Sequence, residues 1–361
     1  MAVDASLLRR VNTQVTLKAL RVEGVATLTR LGRITGLSRQ TVEAVLDELA
    51  GRGWVREIPP DGGAMGRPAR RFGFRADAGF VAGVDIGANK ILVALGDLNG
   101  EVVAWERVSV SAEAPASERL EIARRATLAC VDAAGVPRTR VWAVCAGTSG
   151  VVDRSGRVSL SIVLPGWTGV DLAGLAGGWF GCTGLAANDA NLAVRAEHWR
   201  GSAQHAADVV YVLAGHRIGA GVLIDGQLHR GRTGAAGEIG ALRQVAWEGA
   251  ATRLLDHGEA GTVFDAARAG DADAIEAVEG FAERLAIGAA ALVLAIDPDL
   301  LVVGGGYSRA GEVLLEPFRR HLTELCLGVP EVVTSTLGDE SVALGGVRLA
   351  LDHVEREVLG L

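Results

Sequence analysis

The feature that most constrains the fold is a pattern that occurs twice: a buried apolar strand, a glycine-rich turn and a second strand. The first copy lies in residues 80–95 and carries Asp85 and Gly87 where its first strand ends. The second copy lies in residues 209–224, about 130 residues later. Two such units predict two related α/β lobes that face each other across a cleft. Glycine turns of this kind can bind phosphates, although tight hairpins also require glycine.

The length and the cysteine content limit the class of protein. A chain of 361 residues can form two or three domains. No apolar run reaches the ~18 residues of a membrane span, and the first residues do not resemble a signal peptide. We therefore expect a cytoplasmic protein without a membrane partner. The four cysteines form no CxxC or CxC pair, which argues against a thiolate metal site or a disulfide scaffold.

The charge is divided unevenly along the chain. Residues 1–75 contain 13 Lys and Arg against 7 Asp and Glu, a net charge of +6. Residues 76–361 contain 23 basic and 36 acidic residues, a net charge of −13. A basic segment attached to an acidic body is typical of a polyanion-binding module, although chance alone can produce such a difference.

Three helical patterns precede Trp54. The first carries an apolar stripe through residues 7–20, and the other two together form a helix-turn-helix pattern. Gly36 provides the tight turn, and the residue two positions later is a favourable N-cap for the third helix. In this motif the N-terminal half of the second helix enters the major groove of DNA. The predicted groove contacts are Ser38, Arg39, Gln40 and Thr41.

Two strand patterns after the helices, at residues 54–58 and 71–74, predict a β-hairpin. The turn-rich segment between them has the character of a wing, and its predicted DNA contacts are Arg67 and Arg70. A guanidinium held beside a proline, as at Arg67, suits the negative potential of a minor groove. For this segment alone, a solvated basic linker is the alternative interpretation.

Five motifs in the rest of the chain occur in an order that resembles the ROK family of sugar kinases and repressors, in its branch with an N-terminal winged helix-turn-helix. They lie at residues 84–90, 151–167, 188–191, 237–240 and 298–306. The resemblance covers nearly the whole chain. It implies an α/β fold of two lobes, the actin-like (ribonuclease H-like) ATPase architecture, preceded by the winged domain.

The resemblance also implies where the domains begin and end. The expected ranges are a winged domain at 1–75, a first lobe at 76–195, a second lobe at 196–340 and a C-terminal helix at 341–361. We expect that helix to pack on the first lobe, and we expect the second lobe to contribute to effector binding and dimerisation.

A sugar or sugar-derivative site is implied by the same motifs. Its expected residues are Ser149, Gly150, Asn188, Asp189 and Glu238. The first two replace the Pro-Gly that is usual in the family. Polar oxygens of this kind can bind adjacent sugar hydroxyls. The alternative is that they are caps and turns inherited from an ancestor, since an Asn-Asp pair at a strand end can simply cap the next helix.

The kinase motifs are only partly present. Asp189 corresponds to the family's catalytic base, and Asp85, Gly87 and Asn89 correspond to its first phosphate loop. The second phosphate loop usually reads Gly-Thr-Gly, whereas residues 215–219 are bulky and lack a hydroxyl. Phosphoryl transfer requires donors and a metal for the phosphate charge. We therefore expect a vestigial site, no enzyme activity, and no ATP or magnesium cofactor.

The family's zinc site is also expected to be missing. Ala241 occupies the position of a family histidine, and residues 241–255 contain neither Cys nor His. These are the ligands that structural zinc requires, so we expect no metal.

These observations predict a ROK-type transcriptional regulator, a repressor of sugar uptake or catabolism genes that responds to a sugar or sugar derivative. Its expected partners are double-stranded operator DNA and a second copy of itself, with two recognition helices about 34–36 Å apart on a palindromic site. One alternative is a sugar kinase for hexoses or amino sugars that retains a DNA-binding head. Another is a DNA-binding protein whose body is only a dimerisation scaffold.

Overall fold

The computed structural model describes residues 5–59, 69–245 and 247–361, and its first 70 described positions or so form a helical head with a small sheet. The elements of the head are α1 (Ala5–Glu23), β1 (Val25–Thr27), α2 (Leu28–Thr35), α3 (Arg39–Gly51), β2 (Val55–Ile58) and β3 (Arg71–Phe74). Strand β3 lies between β1 and β2 and is antiparallel to both. The predicted contact Arg67 lies outside the described residues.

The two helices of the helix-turn-helix begin and end at capping residues. The hydroxyl of Thr27 accepts a hydrogen bond from the backbone N–H of Arg30 at the start of α2. Ser38 does the same for Thr41 at the start of α3. Between them Gly36 has φ +72°, a left-handed conformation that costs glycine little. Local side chains therefore determine the turn angle that presents α3.

The first lobe is built on a five-stranded mixed sheet. Its elements are β4 (Phe80–Ile86), β5 (Lys90–Asp97), β6 (Val102–Ser109), α4 (Ala116–Ala133), β7 (Val141–Thr148), β8 (Val151–Val152), β9 (Val158–Leu160), α5 (Leu172–Gly178), β10 (Thr183–Asn188) and α6 (Asp189–Arg200). The strand order is β10-β7-β4-β5-β6, and β4, β7 and β10 are parallel to one another. The carboxyl ends of these three strands therefore meet at one edge of the sheet.

The second lobe repeats this arrangement. Its elements are β11 (Val209–Leu213), β12 (Gly219–Ile224), β13 (Gln227–Leu228), α7 (Thr252–Asp256), α8 (Ala260–Arg268), α9 (Ala272–Ile296), β14 (Leu300–Gly304), α10 (Glu312–Leu325) and β15 (Glu331–Thr334). The order β13-β12-β11-β14-β15 matches that of the first lobe strand by strand. The longest helix here is α9, and no helix within the described residues is both long and apolar enough to cross a membrane.

The final helix, α11 (Ser341–Val354), returns from the second lobe to the sheet of the first. A Cβ at Gly345 would overlap the carbonyl oxygen of Leu192 in α6, and one at Gly83 in β4 would overlap that of Ala343. Helix α11 therefore lies with its backbone directly against both α6 and β4. This contact fixes α6, and α6 begins at the cleft between the lobes.

The close approach at Gly345 generates a prediction about stability. Gly345→Ala should lower the melting temperature, because inserting a methyl group into a packed contact costs about 1–3 kcal/mol. The matched control is Gly280→Ala in α9, where the added methyl would meet no atom within 4 Å. That change should raise stability by about 0.5–1 kcal/mol, since alanine is the better helix former.

The measurement is thermal unfolding of the two variants beside the wild-type protein. Equal melting temperatures for the two alanine variants would contradict the close contact between α11 and α6.

Candidate functional site

The exposed start of α3 is the first candidate surface. Arg39 and Gln40 are exposed there, in the first turn of the helix. The hydroxyls of Ser38 and Thr41 lie 2.8 Å apart and share a hydrogen bond, and the first also caps the helix. Of the four predicted groove contacts, two are therefore presented outward and two hold the end of the helix in place.

Arg70, at the base of the wing, is held by acidic side chains of the head. Its guanidinium donates to Glu57 at 3.1 Å and to Glu43 of α3 at 3.0 Å, and it lies over the ring of Phe72. Three of its five N–H donors are therefore engaged with carboxylates, which compete with a DNA phosphate for this side chain. The sequence did not indicate this; its role as a DNA contact stays a prediction, as does that of Arg67.

The second candidate site lies where β4, β7 and β10 end. In the sheet register Asp85 of β4 lies beside Gly147 of β7, and Asn188 of β10 lies beside Thr148. Side chains from three strands are thus brought to one edge, next to the start of α6. The start of α6 lies against the second lobe, where a Cβ at Gly221 of β12 would overlap the carbonyl oxygen of Ala190, so the predicted polar residues lie at the cleft between the lobes.

Asp189, the first residue of α6, is the central carboxylate of this cleft. Its Oδ2 accepts a hydrogen bond from the hydroxyl of Ser149 at 2.6 Å, and its Oδ1 accepts one from the N–H of Ala190 at 2.8 Å. Burial raises the pKa of Asp189, and the bond from Ser149 opposes that rise. Ser149 stands where the family usually has proline, which has no such donor to offer.

Asn188 has a structural role that the sequence left as one of two alternatives. Its Oδ1 accepts from the N–H of Asn191 and caps α6, while its Nδ2 donates to the carbonyl oxygen of Gly150 at 3.1 Å. The amide thereby joins the strand-end loop of β7 to the start of α6. A role for Asn188 and Gly150 in binding a sugar stays a prediction.

The second lobe contributes Glu238 to the same cleft. Burial raises the pKa of Glu238, and the negative charge of Asp189 raises it further, so the two carboxyl groups lie within electrostatic reach. The preceding loop packs on the first lobe: a Cβ at Gly234 would overlap the carbonyl oxygen of Val152. Arg230 also donates to the carbonyl oxygen of Asp153 at 3.3 Å. The loop that carries Gly234 and the strand β8 that carries Val152 thus close one side of the cleft.

The turn between β4 and β5 corresponds to the expected first phosphate loop. The N–H of Gly87 donates to the carbonyl oxygen of Lys90 at 3.0 Å, so this donor is used within the turn, and Asn89 is exposed. Asp85 is buried just before the turn. Burial raises the pKa of Asp85 to about 7, with Lys90 opposing the rise and the carboxyl of Asp189 adding to it.

Arg119 of α4 holds this turn from behind and was missed by the sequence analysis. Its fully buried guanidinium donates to the carbonyl oxygens of Gly87 and Ala88 at 2.6 and 2.8 Å, and to that of Ser111 at 2.7 Å. Arg119 lies on the buried face of α4, one turn before Ala123. A charged residue on an apolar helical stripe is the signal that could have identified it.

The expected second phosphate loop and zinc loop lie in the second lobe. His216 and Arg217 are exposed between β11 and β12. Where the family has its zinc site, Trp247 is buried, and its ring fills the space that a Cβ at Gly288 of α9 would occupy. The ring also lies against Gly240, two residues after Glu238. An indole therefore anchors this loop, and the absence of zinc stays a prediction from the missing Cys and His ligands.

The raised pKa of Asp85 generates a prediction about pH. An aspartic acid with a folded pKa of about 7 and an unfolded value of 3.8 binds more protons when folded, so stability falls as pH rises between those values. Asp85→Asn should remove this loss of stability, which lowers the free energy of unfolding by up to about 4 kcal/mol above pH 7. The variant's melting temperature should therefore exceed that of the wild-type protein more at pH 8 than at pH 5.

Asp265→Asn, which removes an exposed carboxylate of α8, is the control for the loss of one negative charge. If the difference in melting temperature between Asp85→Asn and the wild-type protein is the same at both pH values, Asp85 is already ionised at pH 5.

The chain is similar in sequence or in structure to three known proteins. The chain is 24% identical to the xylose repressor of Caldicellulosiruptor bescii, with 97% of each chain covered. A solved ROK family transcriptional regulator, a homologue of the E. coli MLC protein, superposes with a TM-score of 0.73 at 19% identity over 98% of both chains. A ROK family glucokinase from Streptomyces griseus, solved with glucose and AMPPNP, has a TM-score of 0.65 at 26% identity. The alignment covers 76% of this chain and 100% of the glucokinase chain.

These likenesses confirm the predicted fold class, a two-lobed actin-like body preceded by a helical head with a small sheet. The domain boundaries stay predictions. The ROK family model matches residues 81–250 and 245–353, which is most of the body. The chain therefore belongs to the ROK family.

Proposed function

We propose that this protein is a DNA-binding transcriptional repressor whose cleft binds a sugar or sugar derivative. The observation that carries this proposal is the extent of the likeness: the xylose repressor aligns with head and body together, over 97% of both chains. The glucokinase of Streptomyces griseus covers 76% of this chain. Operator DNA lies in the cytoplasm of a bacterial cell, which is the location that the proposal requires.

The head supplies the DNA contacts of the proposal. Arginine can pair with the O6 and N7 atoms of guanine, and glutamine with the N6 and N7 atoms of adenine, so Arg39 and Gln40 suit base reading in the major groove. A homodimer would place two such helices about 34–36 Å apart on a palindromic operator. The acidic body repels DNA, which favours contact through the basic head alone.

The cleft supplies the ligand contacts. The carboxyl oxygens of Asp189 and Glu238 can accept hydrogen bonds from sugar hydroxyls, and a buried site rejects ligands that leave such groups unpaired. Phosphoryl transfer additionally requires a cradle for the phosphates. Here Gly87 uses its N–H within the turn, and the second loop carries His216 and Arg217. We infer that the cleft binds a sugar without phosphorylating it and needs neither nucleotide nor metal to do so.

The DNA contacts can be tested on duplexes that the wild-type protein selects from a randomised library. Arg39→Ala should weaken binding to the selected duplex by about 1–3 kcal/mol and relax the base preference at one position. Arg125→Ala on α4 is the control, because it removes the same charge from an exposed site of the body. If both variants bind like the wild-type protein, Arg39 is not at the interface.

The ligand contacts can be tested by thermal shift with D-xylose and D-glucose. A ligand that binds only the folded protein raises its melting temperature, and Glu238→Gln and Asp189→Asn should each reduce that shift by at least about threefold. Glu276→Gln, at an exposed site of α9, should retain it.

The sugar kinase is the competing function, since Asp85 and Asp189 are both present in the cleft. A coupled assay of ATP consumption with hexoses and amino sugars separates the two functions. Sugar-dependent turnover that disappears in Asp189→Asn would replace the proposed ligand site with a catalytic one.

A further inference from the structure

Five charged side chains form a continuous chain of ion pairs from the cleft helix to the DNA-binding head. Arg195 of α6 pairs with Asp352 of α11, and the other oxygen of that carboxylate accepts from Nε of Arg348 at 2.7 Å. Arg348 in turn lies 2.5 Å from Glu355, just beyond α11. The second oxygen of Glu355 then pairs with Arg21 of α1 at 2.8 Å.

The five side chains alternate in sign and are all largely shielded from water, with exposed fractions between 16% and 28%. Partly buried pairs are screened by salt less than surface pairs, and removing one partner leaves an uncompensated charge. Each carboxylate here uses both oxygens to hold two guanidinium groups. A displacement of one member therefore changes the contacts of the next.

One end of the ion-pair chain is mechanically joined to the ligand cleft. Asn188 caps α6 and Asp189 is its first residue, so Arg195 lies about 9 Å further along the same helix. Helix α6 also touches α11 through the backbone contact between Leu192 and Gly345. A shift of α6 cannot be absorbed by loose packing and must move α11 or break this contact.

The other end of the ion-pair chain lies inside the head. Arg21 is in the last turn of α1, and its guanidinium also lies over the ring of Phe74 in the wing strand β3, 5.4 Å from its centroid. The apolar side chains of Leu17 and Leu20 belong to the same buried cluster as Val354 and Leu359. The head is thus joined to the end of the body by charge and by apolar packing.

A second connection converges on the same arginine. Arg21 donates to the carbonyl oxygen of Leu98, in the turn between β5 and β6, at 2.7 Å. Trp199 of α6 packs on that turn where a Cβ at Gly100 would be, and Arg200 pairs with Glu101 at 2.7 Å. Helix α6 is therefore connected to Arg21 twice, from Arg195 near its middle through α11 and from its C-terminal residues through this turn.

We propose that Arg21 and Glu355 transmit the state of the sugar cleft to the DNA-binding head. This inference rests on the proposed function and names the contact through which its regulation acts. A ligand that bridges Asp189 and Glu238 shifts the start of α6, and the ion-pair chain converts that movement into a new position of α1. The effect on DNA is an altered placement of α3, which packs on α1 and is tied to it by the pair Arg9–Glu48.

The experiment measures operator affinity without and with saturating D-xylose or D-glucose, using the full chain and its library-selected duplex. In the wild-type protein the ratio of the two affinities should lie in the usual range for coupled sites, about 5- to 150-fold. In Arg21→Gln, which loses both connections, the ratio should fall to within twofold of one. In Glu355→Gln, which keeps the bond from Arg21 to Leu98, the ratio should also fall. The double variant should show no further loss beyond Arg21→Gln, since the Glu355 connection acts through Arg21.

Two further variants separate transmission from simple damage. Arg21→Lys keeps the positive charge and should retain most of the wild-type ratio. Arg356→Gln removes a neighbouring exposed arginine that pairs with Glu357, and it should leave the ratio unchanged. The sugar-induced rise in melting temperature should be preserved in all these variants, because the cleft itself is intact.

The outcomes distinguish this inference from the function on which it rests. A wild-type ratio that persists in Arg21→Gln and Glu355→Gln overturns the inference and leaves the repressor intact. A wild-type protein whose affinity for DNA does not change with either sugar overturns both. Loss of the ratio together with loss of the sugar-induced thermal shift would assign the effect to the cleft and would also overturn the inference.

Discussion

The arrangement of this molecule depends on one contact between backbones, where α11 lies against α6 and β4 without side chains between them. Gly345 and Gly83 make that approach possible, since any Cβ at either position would overlap a carbonyl oxygen of the neighbouring element. This contact determines the position of α6. Helix α6 is held against the first lobe, so Asp189 at its start is held at the edge where β4 and β7 end.

At that edge, two hydrogen-bonding groups of the cleft are engaged within the protein itself. Ser149 donates to Asp189, and the N–H of Gly87 closes its own turn. A general base must accept a proton from its substrate, and a carboxylate already hydrogen-bonded to a hydroxyl is a weaker acceptor. The same bond costs little for binding, because the carboxylate has further lone pairs for sugar hydroxyls.

Local features of the chain were predictable from the sequence because their causes lie within a few residues. Ser38 begins α3 as its cap, and the repeated strand–turn–strand units form two sheets with the same strand order. The apolar stripe of α1 is only partly buried: Leu7 and Val11 are exposed, because the helix extends beyond the core that Leu20 enters. Periodicity identified that helix, but it could not identify how much of it the rest of the head covers.

Features that depend on distant contacts were not predictable in this way. Arg70 and Glu43 are 27 positions apart, and Arg195 and Asp352 are 157 apart, so no local pattern indicates either pair. Arg119 shows the same limit in its contacts: its place on an apolar stripe marks it as buried, but its partners are carbonyl oxygens, which every residue possesses. In the cleft, the sequence identified the carboxylates and Ser149 as candidate sugar contacts, but not the hydrogen bond by which Ser149 holds Asp189.

The attachment of the head determines what a small movement of the body can achieve. A head on a flexible linker would find its half-site whatever the angle between the lobes. Here Arg21 joins the head to Glu355 and to the turn at Leu98, so the head follows the body. In the proposed dimer, with half-sites ~34 Å apart, each recognition helix lies ~17 Å from the dimer axis, so a rotation of about 11° about that axis moves it by about 3.4 Å. That is the rise of one base pair, enough to move the base-reading side chains out of register.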